Sequence, residues 1–599
     1  MVPRASPNTT TAVPTVLPSG MSLPLACIAI GVPMLLAFNL PPSATFLNQA
    51  MALVGWGSWL TVLASSFNTS RARMQPRFSG LLTLQAALAM VLFAALTSPL
   101  WARPPWAVAL SGAGMVGAAA LAVQMGAMAL RNGNAPRVFC ALCIGLVVAG
   151  VASSLIGIVQ VFAPTWPDGD WVARTYIVGR AVGNMRQPNH LSSLLVWAVI
   201  AAVWLGEAGV IKRWASTVLT LLFIFVIVLS ASRTGTVSVG LLAVWALLDR
   251  RLSRPARALL LLAPVAYAVF WFGTSAWADY SHHVFGGETR FSTKGDISSS
   301  RWGIWANTLA LIRMHPWAGV GFGEFNFAWT LTPFPGRPVA FFDHTHNLVL
   351  QLAVELGLPL AALVLGLLGW AQYAALQKAL RARDDADPRQ APLRRAAFMM
   401  VLLILLHSLL EYPLWYAYFL LPAAFAFGLC LGEVGEAPSD AAPAVASRMR
   451  PLLVASMLLM LGGVLSVADY SRVVTIFAPA EGAPPLAERI ASGQRSVLFA
   501  YQADYAAATT AENPVDALSA FKRAPHNLLD ARLMIAWAKA LAASGDTERA
   551  RYVAQRLQEF HNEGADEFFA PCADKTTPAA ALPFQCVAPT RSFSYEDFR

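Results

Sequence analysis

Uncharged stretches of about twenty residues recur along this chain between short polar links, and that is the length a helix needs to cross a hydrocarbon core of roughly 30 Å. Trp106 to Leu130 and Ala215 to Ala231 carry no charged residue, and Leu348 to Leu368 carries only Glu355. A backbone in lipid must satisfy its own N–H and C=O groups, so these blocks read as membrane helices. With 56% hydrophobic and 13% charged residues, the composition excludes an ordinary water-soluble fold for residues 23–468.

The expected fold is all-α and polytopic, with about thirteen transmembrane helices near 23–40, 47–66, 79–97, 106–130, 137–162, 190–207, 215–230, 232–249, 257–275, 346–372, 396–412, 414–432 and 451–468. The first block is expected to remain as an anchor, because no clear small-residue cleavage site follows it. Basic residues test the count. Links after even-numbered spans hold Arg71, Arg73 and Arg77, then Arg131 and Arg137, then Lys212 and Arg213, then Arg250, Arg251, Arg254 and Arg257, then the cluster from Lys378 to Arg395. Lys and Arg gather on the cytoplasmic side of a bacterial inner membrane, so these links and the N-terminus are placed inside and the tail outside. The net charge of +10 is then a topology signal and implies no nucleic-acid partner. The domains expected are a cytoplasmic segment 1–22, a transmembrane catalytic domain 23–468 with a large periplasmic loop 276–345, and a periplasmic helical domain 469–599. Within the last, Ala531 to Phe560, with Gly545-Asp546 at its centre, reads as an antiparallel helix pair of tetratricopeptide type. Cys572 and Cys586 are candidates for a disulfide in an oxidising compartment, whereas Cys27, Cys140, Cys143 and Cys430 fall in spans and suit core packing.

The outer links carry residues that a spacer does not need. Over Ser300 to Arg313, Trp302, Trp305, Leu309 and Ile312 recur at helical spacing, predicting an amphipathic helix on the outer surface with tryptophans among the headgroups. Asp343-His344-Thr345-His346-Asn347 precedes the tenth span and sets two histidines at a helix N-terminus. The positive end of the helix dipole disfavours imidazolium, so a histidine there stays neutral near pH 7 and can accept a proton. Helix capping by Asp343 or Thr345 is the plainer alternative. A metal held by Asp343, His344 and His346 is another, but few further ligands stand in the outer links apart from His282 and His283, so no metal or other cofactor is expected. Asn347, Gln351 and Glu355 follow four apart as a polar stripe running into the bilayer. Glu355 lies about 13 Å below His346 at helical rise, with His407 or an arginine as its expected partner. Arg180, Arg186, Arg233 and Arg301 stand on the outer side against the usual bias. Each is either a snorkelling anchor or part of a site for an anion such as pyrophosphate, whose oxygens guanidinium forks match. Glu411-Tyr412-Pro413-Leu414-Trp415-Tyr416 caps the eleventh span on that face.

Taken in order, these segments carry a resemblance: Arg180 to Arg186 with Gln187-Pro188-Asn189, the Ser232-Arg233-Thr234-Gly235 turn, Arg301-Trp302 leading to His315-Pro316-Trp317-Ala318-Gly319-Val320-Gly321, His344-Thr345-His346-Asn347, and Glu411-Tyr412-Pro413-Leu414. The set resembles the O-antigen ligase and polymerase superfamily and, within it, the bacterial protein O-oligosaccharyltransferases, also called pilin-glycosylation ligases. The resemblance implies a fold similar to the C-type membrane glycosyltransferases. It implies inverting, metal-independent transfer of a glycan from undecaprenyl pyrophosphate to Ser or Thr of a periplasmic protein such as pilin. It implies His346 as the catalytic base, Arg180, Arg186, Arg233 and Arg301 as donor pyrophosphate ligands, and Gln187, Asn189, His344, Asn347, Glu411, Tyr412 and Tyr416 as residues that position substrate. The family pattern places a glycine eleven residues after the histidine and another three later. Gly357 fits the first and Leu360 departs from the second, a difference expected to concern helix packing. Two alternatives stand beside this reading: ligation to lipid A core or repeat-unit polymerisation, and a transporter or flippase for the same lipid-linked sugar. The transporter calls for intramembrane charges along a path and a pseudo-repeat, and the sequence has neither.

Overall fold

A computed structural model describes residues 17–18, 20–67, 79–288, 300–334, 336–381, 390–433, 450–527, 529–573, 578 and 582–599. Most of the expected segment 1–22 lies outside these residues, as do Arg71, Arg73 and Arg77, the middle of the Lys378 to Arg395 cluster and part of the 276–345 loop.

The described residues form helices and no strand. They are α1 (Ser22–Leu35), α2 (Phe46–Ser66), α3 (Gly80–Trp101), α4 (Trp106–Arg131), α5 (Ala135–Phe162), α6 (Pro188–Glu207), α7 (Arg213–Ser230), α8 (Arg233–Leu248), α9 (Arg254–Leu261), α10 (Ala263–Ser281), α11 (Ser300–Met314), α12 (Phe325–Leu331), α13 (Leu348–Leu356), α14 (Leu358–Arg381), α15 (Gln390–His407), α16 (Ala417–Leu431) and α17 (Arg450–Phe477), followed by the helices of the tail. Among the described residues, eight helices are long and apolar enough to cross a membrane, or nine when α9 and α10, bent by 40°, count as one span. Helices α1, α8 and α16 are apolar but shorter, so length and composition alone give fewer crossings than thirteen.

The expected tenth span is not one helix. Helix α13 stops at Leu356, Gly357 turns to φ +75°, and α14 starts afresh. A Cβ at Gly357 would sit 2.3 Å from the Trp317 carbonyl oxygen, so this position serves a chain break as well as close packing. Leu358 N–H bonds the Pro316 carbonyl at 2.7 Å, and Pro359, which lacks an N–H, suits the first turn of the new helix. Nine residues are too few to span a bilayer. The stripe Asn347, Gln351 and Glu355 therefore ends above the crossing helix instead of running down it.

Polar contacts distinguish the two ends of the bundle. At one, Asn184 Nδ2 bonds the Leu35 carbonyl (2.6 Å) and Tyr470 OH bonds the Leu40 carbonyl (2.9 Å), while Ala181 N–H bonds the Leu229 carbonyl (3.0 Å). At the other, Ser253 Oγ donates to Glu207 (2.6 Å), Arg395 pairs with Asp249 (2.8 Å), and Lys378 donates to the Leu431 carbonyl (2.5 Å). Basic links thus collect opposite the links that carry the motifs. Between the ends, α6 is buried along nearly its whole length and α15 over most of it. Helices α4 and α16 cross closely: a Cβ at Gly126 would stand 2.2 Å from the Phe425 oxygen, and one at Gly428 2.0 Å from the Val123 oxygen. Small residues let helix backbones approach where lipid gives no hydrophobic drive to pack.

Helix α11 forms as expected but its apolar stripe is split. Ile304, Leu311 and Ile312 face inward, whereas Trp302 and Leu309 are exposed. In the tail, Ala531–Ala543 and Thr547–Gln558 make the helix pair, with Gly545 at φ +88° in the turn. Cys572 and Cys586 are disulfide-bonded. The tail is continuous with the loop, because Phe327 and Trp329 of α12 share one apolar core with Leu533, Trp537 and Val553. His526 Nδ1 lies 2.8 Å from the Glu324 carboxylate with both side chains buried, and Tyr552 OH donates to the Leu331 carbonyl at 2.6 Å.

Candidate active site

Links far apart in sequence meet on one carboxylate. Helix α15 ends at His407, and in the following turn the nearly buried Glu411 projects its side chain among α6, α11 and the start of α13. Its Oε2 lies 2.7 Å from His346 Nδ1, and its Oε1 accepts from Asn189 Nδ2 at 3.0 Å and from the Arg301 guanidinium. Burial alone would push the Glu411 carboxyl up, but the hydrogen bond and charge of His346 and the charge of Arg301 outweigh it and hold the group below its ordinary range. Glu411 is therefore a carboxylate at neutral pH and accepts from His346 Nδ1–H, so that in the neutral form of this imidazole the lone pair falls on Nε2. His346 occupies the left-handed backbone region, φ +54°, at a cost of roughly 1–2 kcal/mol for a residue with a Cβ. Such strain persists where surrounding structure over-determines it, often at functional sites.

Asn347 supplies that surrounding structure. Its Oδ1 caps α13 by accepting from Val349 N–H (3.0 Å) and Leu350 N–H (3.1 Å), and its Nδ2 donates to the Leu409 carbonyl (3.0 Å). The cap is thus Asn347, and neither Asp343 nor Thr345; the Thr345 hydroxyl instead donates to the Asn347 carbonyl at 2.8 Å. Gln351 accepts from Thr345 N–H (2.8 Å) and donates to Glu355 (2.9 Å). Glu355 accordingly pairs with Gln351 on its own helix, whereas His407, which with an arginine was an expected partner, lies 2.7 Å from Ser193 Oγ.

His344 shifts in the direction opposite to the one expected at a helix N-terminus. Its Nδ1 lies 3.0 Å from the Asp343 carboxylate. Burial pulls its pKa down, but Asp343 outweighs burial and raises it; burial likewise pushes the Asp343 carboxyl up, and His344 brings it down to about 2. The His344 ring stacks on Tyr412 at 4.4 Å, and Tyr412 meets the His346 ring edge-on at 4.9 Å. Tyr416 follows, 6.1 Å from Tyr412 and 4.6 Å from the His190 ring.

Of the four expected arginines, the structure brings Arg301 into this cluster. Arg180 donates Nε to the Ser230 carbonyl (2.9 Å) and Nη2 to that of Ala231 (3.4 Å), bracing the turn that leads to Arg233, which is exposed at the head of α8. Arg186 turns away, giving Nη2 to the Ala37 carbonyl (2.5 Å) and Nη1 to that of Ala44 (3.4 Å). Gln187 caps α6, its side chain accepting from the N–H groups of Asn189 and His190. Sequence reading missed Ser232, whose hydroxyl donates to Asn189 Oδ1 (2.6 Å) while capping α8, and Trp305, whose indole N–H bonds the Thr345 carbonyl (2.9 Å). A serine opening the expected span 232–249 was the available signal. Among the described residues, no group of three or more His, Cys, Asp or Glu side chains is placed to hold a metal ion.

Similarity to known proteins falls on these same segments. Residues 218–365 match the O-antigen ligase family, residues 181–205 the protein glycosylation ligase family, and residues 395–571 the C-terminal part of the virulence factor membrane-bound polymerases. A general O-oligosaccharyltransferase of Acinetobacter baylyi is 28% identical over 271 residues, which is 44% of this chain and 46% of that protein. A ComP-specific O-oligosaccharyltransferase of the same organism is 26% identical over 253 residues, 42% of this chain and 44% of that protein. The chain spans less than half the length of these curated relatives. The resemblance carried by the ordered motifs, to O-antigen ligases and protein O-oligosaccharyltransferases, is borne out, and both names denote glycosyltransferases.

Proposed function

We propose that this multi-pass membrane relative of the O-antigen and protein glycosylation ligases is an O-linked oligosaccharyltransferase, moving a glycan from undecaprenyl pyrophosphate to Ser or Thr of periplasmic proteins such as pilin. The observation that carries the reading is the Glu411–His346 pair, which leaves Nε2 as a proton acceptor beside an arginine. The acceptor hydroxyl attacks the anomeric carbon, the carbon–oxygen bond to pyrophosphate breaks, and His346 Nε2 takes the hydroxyl proton. A single displacement inverts the anomeric centre and calls on no metal. Arg301 stands beside the acceptor of that proton, and Arg180 and Arg233 flank the next turn; together they suit the charge that grows on the departing pyrophosphate. Asn189, Asn347 and Gln187 position this machinery through Glu411 and the two helix starts, and Tyr412, Tyr416 and His344 offer an aromatic wall for sugar or acceptor. In this reading Arg186, whose guanidinium reaches the Ala37 and Ala44 carbonyls, braces the α1–α2 link.

In this reading the bent α9–α10 pair, the three shorter apolar helices and α2 cross the inner membrane along with the eight longer helices. The basic end faces the cytoplasm, and the site and tail face the periplasm. A second reading, polymerisation or ligation of glycan onto lipid A core, is favoured by the match of residues 395–571 to the membrane-bound polymerases. Purified protein incubated with undecaprenyl-pyrophosphate glycan and either pilin or lipid A core separates the two. His346→Ala should abolish transfer to whichever acceptor is used, and undiminished transfer by that variant would overturn the base assignment.

A further inference from the structure

A cleft of about 510 Å³ opens between the α3–α4 turn, the turn after α11 and the last turn of the tail, away from the His346 cluster. Such a volume lies within the range of roughly 300–1,000 Å³ that small-ligand sites occupy. Six of its side chains carry the chemistry: Trp101, Arg103, His315, Trp317, Glu596 and Arg599. The two indoles are 45% and 80% exposed, so each offers a free aromatic surface. Arg103 makes no ion pair among the described residues and is held at φ +60°. Glu596 lies 3.9 Å from His315 Nδ1, and Arg599 donates to the Val320 carbonyl at 2.7 Å with its guanidinium 5.0 Å from the Tyr595 ring.

Planar donors and a planar acceptor beside exposed indoles match a sugar ring, which presents vicinal hydroxyls at its edge and apolar C–H groups on its faces. A site for a simple anion would concentrate cations without an acceptor, and a purely apolar partner would leave four polar groups unused. The chain beside the cleft is tied to α13 by Val320 N–H to the Val354 carbonyl (2.8 Å), and Pro316 in its wall accepts from Leu358 N–H at the start of α14 (2.7 Å). Along α13 this tie lies about 12 Å from His346 at helical rise, a separation that a glycan of several sugars bridges and a single sugar does not.

We propose that this cleft is a saccharide subsite that binds sugars of the donor glycan remote from the reacting one. The proposal rests on the transferase reading for the identity of the ligand. Its test compares wild type with Trp317→Ala and Arg103→Ala, using two donors that carry either one sugar or the full oligosaccharide on undecaprenyl pyrophosphate. For the oligosaccharide donor both variants should raise KM about tenfold, the loss of one well-packed contact, with kcat unchanged; for the single-sugar donor all three proteins should be equal. Equal losses on both donors would mark the tryptophan as a membrane anchor or packing residue and overturn the subsite, as would full activity of both variants on the oligosaccharide. A second measurement separates the two hypotheses: saturation-transfer NMR of the full-length protein with the oligosaccharide released from the same donor by mild acid. Binding of that sugar, lost in Trp317→Ala, upholds the cleft even if no transfer is seen and the transferase reading fails. No binding by wild type overturns the subsite.

Discussion

Replacing Glu411 by glutamine keeps the shape of the side chain and removes the charge that three donors share. His346 Nδ1–H, Arg301 and Asn189 Nδ2 all point at two oxygens, and the amide leaves one oxygen and turns an NH₂ toward at least one donor. Hydrogen bonds to charged groups contribute about 1.5–3 kcal/mol each. Losing the tautomer lock on His346 and the neutralisation of Arg301 should therefore raise the transfer barrier by about 3–4 kcal/mol, or lower kcat/KM about 10²–10³-fold. The assay is glycan transfer to acceptor by purified variant in detergent, with thermal unfolding followed in parallel. The double variant Arg301→Ala/Glu411→Gln should lose less than the sum of the two single losses, because removing the arginine relieves a buried unpaired cation. The pH dependence has a definite sign. Glu411 is depressed in the fold, so its stabilisation is present above the ordinary glutamate range and is lost as pH falls through the folded value. The gap in unfolding temperature between wild type and variant should be open at pH 7 and close below about pH 4. A folded Glu411→Gln enzyme retaining more than half of the wild-type rate would refute the assignment of the carboxylate as the orienter of His346.

Three further outcomes follow from the geometry. Arg186→Ala should lower the unfolding temperature by an amount equivalent to about 1–3 kcal/mol, since it strips donors from the Ala37 and Ala44 carbonyls, while leaving donor KM within twofold of wild type in the transfer assay. Gly357→Ala should destabilise the protein by about 2–4 kcal/mol in thermal unfolding, because the new methyl meets the Trp317 oxygen at an unfavourable φ. For the Asp343–His344 pair, the raised His344 contributes below its unfolded value near 6.5 and loses that contribution as pH rises through its folded pKa. The depressed Asp343 contributes above about 3.8 and loses that contribution as pH falls toward about 2. The stability difference between wild type and Asp343→Asn, measured across pH, should therefore be widest near pH 4–6 and narrow above it.

Apolar block length and alternating basic links were sufficient to read a helical bundle with its unusual links at one end, since both follow from the solvent a membrane helix meets. The pairing within the site was not legible in the same way. Glu411 and His346 lie 65 positions apart, and Glu411 reaches the histidine from the turn beyond the end of α15, a matter of helix packing that no local pattern encodes. Arg186 and Arg301 look alike in sequence, yet one meets carbonyls of the α1–α2 link and the other a carboxylate. The break at Gly357 did leave a trace, glycine followed by Leu358-Pro359, but an apolar run on both sides masked it. The Asn347 cap was equally visible in principle, and reading Asp343 or Thr345 in its place shifted the helix start by two or more residues.

The burial of the tail against α12 bears on when the His346 site can form. Every contact from His526 to Glu324, from Tyr552 to Leu331 and from Arg599 to Val320 joins a residue made after the whole helical bundle to the loop that leans on the catalytic helix. A nascent chain therefore holds His346, Arg301 and Glu411 in the bilayer before the support beneath them has been translated. The tail thus acts as a late brace, and a ribosome that stalls before His526 leaves behind the membrane helices without the contacts that hold this loop.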